Sequence, residues 1–486
     1  MAGIGFELKK LFAKRGFLRS MRAYGYASVI CTGPMLLGVL LLLGMMYLCS
    51  VFGVVKDTRE LLICMITYTL LASLTVSSFF SMVITRYTAD MLYEDKIHMV
   101  MPSFWGSSVL MMCIGSILYG IFLLFSGATL MQQFLLFVFF NELIIVWNAM
   151  SYLSALKDYK GIFLSFLTAI ATAFILGALL LLLKMPAVEA LLIAVTTGYG
   201  IMLLWNVILL HRYFPKSDTS PFTFLKWLDE FWPLALSGLF TNIGLFVHLV
   251  IFWFSEIGVQ VKGLFYGAPY HDVPALLAFM TTLITTVNFV VSVEVNFYPK
   301  YRTHYSLYND KGTIKDIRRA EQDMLSTLKT EIFYTSLKQL LCTAFFLAVA
   351  SYLLDILPLG FNEMMRGYFR TLCVAYGLYA IGNMVMLILL YFTDYRGAML
   401  ATGAFAICSI LFTIISLLFP AVYFGFGFLL ASMVFVVAAV ARLDYFTKRL
   451  PYYVLAAQPL VAEDRSGKFT RLGSFLERKI AEGDKK

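Results

Sequence analysis

Charge is what this sequence has least of. Only 14% of its 486 residues are Asp, Glu, Lys or Arg, where a soluble protein carries about 25%. That excludes a water-soluble enzyme of this length, and a disordered chain as well, because disorder goes with high charge and few aromatics. Cysteine is also sparse. The seven residues Cys31, Cys49, Cys64, Cys113, Cys342, Cys373 and Cys408 include no CxxC pair, so neither a disulfide scaffold nor a cysteine-held zinc site is indicated, and packing roles are expected. No Walker A loop, HExxH or GxSxG occurs, and the chain reads as a non-enzyme with no ATPase, no metal and no cofactor of its own. Any driving force would be an ion gradient, the substrate gradient or coupled polymer synthesis.

What is there is apolar. Hydrophobic residues make up 60% of the chain and aromatics 16%, with 44 Phe and 28 Tyr; the mean hydropathy is +0.81. A core of this size cannot hide them all from water, which leaves an all-α polytopic membrane protein. Twelve apolar runs are long enough to span a hydrocarbon core, at roughly 24–53, 61–85, 101–125, 131–156, 161–183, 187–210, 231–255, 273–298, 332–356, 366–391, 397–419 and 426–441. The first starts too late, and is too long, for a cleaved signal peptide.

If the helices alternate from a cytoplasmic N-terminus, 31 of the 38 Lys and Arg face the cytoplasm and six (Lys56, Arg59, Lys184, Lys262, Arg366, Arg370) face outside, with Lys338 inside a helix. The positive-inside bias therefore predicts that both termini are cytoplasmic, and the net charge of +9 faces anionic membrane lipid. Nucleic acid is not expected, since no soluble segment is large enough to present a groove. Residues 1–22 read as an amphipathic segment on the inner leaflet. Residues 23–210 form a first six-helix lobe, 211–230 a basic cytoplasmic linker, and 231–441 a second six-helix lobe with a cytoplasmic loop at 299–331. Residues 442–486 are a mixed-charge cytoplasmic tail. Two six-helix halves in one orientation are a transporter pattern, with a substrate path expected between them.

Polar residues at bilayer depth are costly and are candidates by default. Glu142 falls near the middle of the fourth run, beside Asn141, with Asn148 on the face of Asn141. Asn242 is near the midplane of the seventh run and His248 is further along it. These five are the expected substrate path. Glu294 and Lys338 are positioned to pair as an inner gate. Asp355, Arg366 and Arg370 mark an outer rim, and Gly33 with Pro34 a hinge in the first run, where proline removes a backbone bond.

Several motifs carry a family resemblance. They include Met-Ala-Gly-Ile-Gly-Phe-Glu-Leu-Lys-Lys-Leu at 1–11, Ala23-Tyr24-Gly25-Tyr26-Ala27, Gly33-Pro34, and Thr85-Arg86-Tyr87 with Asp90 and Glu94. Tyr152-Leu153-Ser154-Ala155 with Lys157-Asp158-Tyr159-Lys160, Gly238-Leu239-Phe240 with Asn242-Ile243-Gly244, and Phe252-Trp253-Phe254 follow. Tyr391-Phe392, Tyr395-Arg396, Gly425-Phe426-Gly427-Phe428 and Leu443-Asp444 complete the series. In this the chain resembles the PelG family, transporters of Pel exopolysaccharide. Where the family form carries an acidic residue followed by Lys in the seventh helix, this chain has His248-Leu249.

The resemblance implies the fold of the multidrug/oligosaccharidyl-lipid/polysaccharide exporter superfamily. It also implies a polysaccharide substrate built from N-acetylgalactosamine and galactosamine, a PelF-like cytoplasmic glycosyltransferase partner, and PelD- and PelE-like membrane proteins. The expected function is export of that polymer across the bacterial cytoplasmic (inner) membrane by a multi-pass protein. The alternatives are an alternating-access flippase for lipid-linked oligosaccharide, a cation-coupled drug antiporter, and a scaffold subunit of the synthase complex.

Overall fold

The computed structural model describes residues 36–156, 159–309, 312–356, 360–455 and 467–483. The expected amphipathic segment 1–22 and the hinge residues Gly33 and Pro34 lie outside the described residues. Eleven helical stretches are long and apolar enough to cross a bilayer, and a shorter apolar helix, α1 (Leu36–Val51), precedes them. They follow the twelve apolar runs in order, so the chain is an all-α polytopic membrane protein. The pattern follows from the bilayer: with no water to satisfy backbone groups, only a helix or a closed barrel can cross.

The first compact unit holds α1, α2 (Lys56–Tyr93), α3 (Val100–Phe125), α4 (Leu130–Leu156), α5 (Tyr159–Leu182) and α6 (Ala187–Tyr213). It continues with the short α7 (Leu225–Glu230) and most of α8 (Trp232–Trp253). A two-stranded antiparallel hairpin, β1 (Val259–Lys262) and β2 (Phe265–Gly267), belongs to it as well. So does a helix near the chain's end, α17 (Lys468–Gly483).

An aromatic column fills part of this core. The rings of Trp253, Tyr68, Phe122, Tyr119 and Phe140 stack in sequence with centroids 4.5, 5.6, 5.7 and 4.4 Å apart, and the Thr69 and Tyr119 hydroxyls are 2.7 Å apart beside it. The hairpin was not legible in its loop. It docks where Leu264 N–H donates to the Ser126 carbonyl at 3.0 Å. Gly263 sits at φ +54°, and a Cβ there would overlap Ser126 O, so the turn needs glycine both for its dihedral and for the approach.

The second unit holds Val247–Ile251 of α8 and then α9 (Pro269–Met280), α10 (Leu283–Val291), a π-helical turn (Ser292–Phe297) and α11 (Tyr298–Asn309). The eighth apolar run is thus not one regular helix. At the break, Thr281 and Thr282 bond back to the Ala278 and Phe279 carbonyls at 2.7 and 2.8 Å, a competition that loosens helices. The 43-residue α12 (Ile314–Ile356) spans about 65 Å at 1.5 Å per residue. It starts two residues after Gly312, so much of the expected loop 299–331 is helical, in α11 and the first part of α12.

The unit closes with α13 (Glu363–Tyr391), α14 (Tyr395–Ser416), α15 (Gly425–Thr447) and the short α16 (Leu450–Leu455). Asn362 caps α13 by accepting from Met365 N–H at 2.8 Å, and Asp394 caps α14 by accepting from Gly397 N–H at 3.1 Å, each satisfying an orphan donor of its first turn. Apolar side chains also line outward faces. On α3, Ile114, Ile117, Leu118, Ile121, Leu124 and Phe125 are exposed, which suits lipid rather than water.

Candidate functional site

In the first unit, α4 aims its polar residues in two directions. Asn141 accepts from Ser116 Oγ at 2.7 Å and donates to the Phe137 carbonyl at 2.9 Å. Asn148 is buried, and its amide donates toward the Ser107 and Ser108 hydroxyls at 2.9 and 2.7 Å and the Phe104 carbonyl at 3.2 Å. Both asparagines therefore face α3.

Glu142 faces α6 instead. A Cβ on Gly200 would lie 3.1 Å from Glu142 Oε1, so the glycine makes room for the carboxylate. Glu142, Thr197, Gly200, Ile201, Leu203 and Leu204 line an open cavity of about 400 Å³, while the buried Glu142 Oε2 meets no hydrogen-bond partner among the described residues. Asn242, on α8, likewise has an unpartnered buried oxygen, Oδ1. One turn earlier on α8, a Cβ on Gly238 would overlap the Ser78 carbonyl oxygen, so α8 and α2 are in backbone contact there.

The Arg86 and Asp90 motif of the sequence holds the linker of the same unit. Arg86 Nε donates to Asp90 Oδ2 at 3.0 Å, and Trp227 Nε1 donates to the same oxygen at 2.9 Å. The Tyr87 and Trp227 rings pack edge to face at 4.9 Å. Asp229, on the same α7, caps α17: it accepts from Phe469 N–H at 3.1 Å and from Thr470 N–H and Oγ1 at 2.7 Å each. Burial by itself would raise this carboxyl. The bonds from Thr470, Phe469 and Gly467 outweigh burial and hold it below the usual 3.8.

In the second unit, His248 lies in the interior with no exposed surface, stacked on Phe428 at 4.2 Å. Lys338 donates to Asn288 Oδ1 at 2.6 Å; the side chain of Glu294, its expected partner, lies outside the described residues. Asn288 is one rung of a polar seam between α10 and α12 that the sequence reading missed. Thr285 donates to Gln339 Oε1 at 2.5 Å, Asn288 Nδ2 to Thr335 Oγ1 at 2.6 Å, and Asn296 Nδ2 to Glu331 Oε1 at 2.7 Å, with Ser292 donating to the other oxygen of Glu331. The 285, 288, 292, 296 spacing is a one-face helical stripe and was the available signal.

Of the expected rim residues, Arg366 and Asp355 are tied to each other, and Arg370 is held separately. Arg366 bridges Asp355 at 2.5 Å and Glu363 at 3.0 Å, and Arg370 donates to Ser351 Oγ at 2.9 Å. A two-bond ion pair in this unit was not foreseen: Arg442 grips Asp394 through bonds of 2.6 and 2.8 Å. Its members are 48 residues apart, with no local signal. Among the described residues no group of three or more His, Cys, Asp or Glu could hold a metal ion.

The chain matches the PelG family, described as "Putative exopolysaccharide Exporter (EPS-E)", over residues 1–455. No curated protein matches it. Among solved structures it is similar to a MATE transporter in the bent conformation, with TM-score 0.58 at 15% identity, covering 92% of this chain and 99% of that one. It is similar also to an inward-facing multidrug resistance MATE transporter of the MOP superfamily, with TM-score 0.52 at 14% identity, covering 87% and 99%. A MOP superfamily transporter from Pyrococcus furiosus Vc1, whose title states a binding pocket of reversed polarity, gives TM-score 0.54 at 14% identity, covering 88% and 95%. At these identities the likeness shows the fold, which is that of the MATE-like MOP transporters.

Proposed function

The chain belongs to the PelG family, and we propose that it exports a Pel-type polysaccharide, rich in N-acetylgalactosamine and galactosamine, across the bacterial cytoplasmic membrane. A PelF-like glycosyltransferase extends the polymer on the cytoplasmic side, with PelD- and PelE-like membrane proteins in the same assembly. The observation that carries this reading is Glu142, which lines an open cavity beside Gly200 and has a buried oxygen, Oε2, without a hydrogen-bond partner among the described residues. A carboxylate in an apolar wall accepts hydrogen bonds from sugar hydroxyls and from the ammonium of galactosamine. Asn242, with its unpartnered Oδ1, adds a second acceptor. Few, weak contacts suit a sliding polymer, since tight binding at each residue of the chain would stall it.

The test replaces the native gene with Glu142→Gln and Asn242→Ala forms and measures secreted polymer with an N-acetylgalactosamine-specific lectin. Recovery of the glycosyltransferase with the membrane protein is followed in parallel. The expected result is at least a tenfold loss of secretion by the double variant with the assembly intact. Normal secretion sinks the role of these residues. Loss of secretion together with loss of the assembly would make the chain a scaffold.

A further inference from the structure

Within the first unit, α17 carries two faces. The docking face runs through Thr470, Gly473 and Glu477, spaced by three and four residues as one side of a helix requires. Thr470 donates to Asp229 through its N–H and Oγ1. A Cβ on Gly473 would lie 3.4 Å from Leu225 Cδ1, and Ser220 Oγ donates to Glu477 Oε1. The other face runs through Lys468, Arg471, Leu472, Phe475, Arg478 and Lys479, all of them exposed. Leu472 and Phe475 stand 40% and 54% exposed between the cations, and Lys479 Nζ lies 5.3 Å from the centre of the Phe475 ring. Glu477 is the only acid among residues 468–479, and it is engaged on the docking face.

The segment that holds α17 has a definite level in the unit. A Cβ on Gly106 of α3 would overlap the Pro221 carbonyl oxygen, so the start of α3 and the stretch leading into α7 are in backbone contact. Trp105, next to Gly106, is exposed, and so is Trp232, which opens α8 two residues after α7 ends. Exposed tryptophans on membrane helices gather at the boundary between bilayer and water. α17 therefore hangs at that boundary.

We propose that the outward face of α17 is a binding surface for the headgroups of anionic phospholipid. Phe475 and Leu472 enter the edge of the acyl region, while Lys468, Arg471, Arg478 and Lys479 lay their apolar stems along that strip and set their charges against lipid phosphates. Arg471 and Arg478 can each grip a phosphate through two parallel bonds. A protein partner fits this face less well, because the buried centre of a protein interface is depleted in charge, and here the two apolar side chains are ringed by four cations. The attraction to anionic lipid is electrostatic, adds with each cation and weakens with salt. Because Asp229 and Ser220 hold the opposite face of α17, lipid bound here fixes the linker between α6 and α8 at the membrane surface.

The test places the full chain in lipid nanodiscs that contain a photo-crosslinking phosphatidylglycerol, or the same crosslinker on phosphatidylcholine, and maps the adducts by mass spectrometry. The expected result is at least tenfold more adduct in peptides from Lys468–Gly483 with the phosphatidylglycerol probe, an excess that high salt removes. Lys468→Gln/Arg471→Gln/Arg478→Gln/Lys479→Gln should abolish the excess, and Leu472→Ser/Phe475→Ser should lower labelling by both probes. These changes leave Asp229, Thr470, Gly473 and Glu477 in place, and hydrogen exchange of α17 in detergent checks that the helix is still docked. Should the fourfold variant undock, the comparison of the two probes on the native chain, with its salt dependence, still decides. Equal labelling by the two probes would mean a face that only touches the bilayer, and no labelling by either would leave it to water or to a protein; both overturn the proposal. An anionic excess that survives in a docked fourfold variant overturns it as well, since the cations would not be its cause. No polysaccharide enters the experiment, so its outcome is independent of the export reading.

Discussion

Asp229→Ala should release α17 from the unit it packs against while leaving the membrane helices in place. The carboxylate takes three bonds from the first turn of α17, the role of a capping residue supplied from another helix. Losing a cap of this kind costs about 1–2 kcal/mol, and at 1.4 kcal/mol per decade local opening becomes roughly 5- to 30-fold more frequent. A 16-residue helix has little stability of its own in water, so once uncapped it frays and exchanges its amides. Hydrogen exchange read by mass spectrometry should show that acceleration in peptides from Lys468–Gly483 and none in peptides from α2. Unchanged exchange in α17, or equal acceleration everywhere, would refute the reasoning.

The same contact sets a pH dependence. The folded carboxyl is held below its usual 3.8, so docking is at full strength above about pH 4. It is lost as pH falls through the lowered folded value, because the undocked carboxyl binds the proton more tightly than the docked one. The protection of α17 amides, taken relative to the intrinsic exchange rate at each pH, should therefore fall on acidification, and Asp229→Ala should abolish that dependence.

Gly238→Ala should separate α8 from α2 within the first unit, because a Cβ there overlaps the Ser78 carbonyl oxygen. Overpacking of this kind costs about 1–3 kcal/mol, read as a lower unfolding midpoint in detergent; an unchanged midpoint would show that the approach is not needed. Arg442→Met strands the buried Asp394, whose side chain is 6% exposed, at about 3–5 kcal/mol. The Arg442→Met/Asp394→Asn double variant should recover part of that loss, and additive losses would contradict the pairing.

The number and order of the membrane helices were legible because the bilayer fixes length and hydropathy together. The runs at 61–85 and 187–210 became α2 and α6 with only their ends extended. What each helix presents inward was not legible, because lipid and protein interior are both apolar and leave little periodic contrast. Glu142 and Asn148 sit on one helix, yet one faces Gly200 and the other Ser107 and Ser108. The break at Thr281 and Thr282 is hidden inside an apolar run. The hairpin at 259–267 is too short for a pattern. The bonds between Asp229 and Thr470 close a separation of 241 residues, which no local signal could reveal.

Two groups of buried polar residues differ in what they lack. In the second unit the seam residues Thr285, Asn288, Ser292 and Asn296 are matched by Gln339, Thr335, Lys338 and Glu331, so each spends its hydrogen bonds inside the unit and holds α10 to α12. In the first unit, Glu142 Oε2, Asn148 Oδ1 and Asn242 Oδ1 remain without a protein partner among the described residues. An unmatched buried oxygen costs about 1–3 kcal/mol, and a helix that needed only packing would carry Leu or Ala there at no such cost. The unmatched oxygens are therefore the better candidates for sugar contact, and the seam the better candidate for glue. On that argument, substitutions that break the seam should lower stability before they lower export, and substitutions at Glu142 and Asn242 should do the reverse.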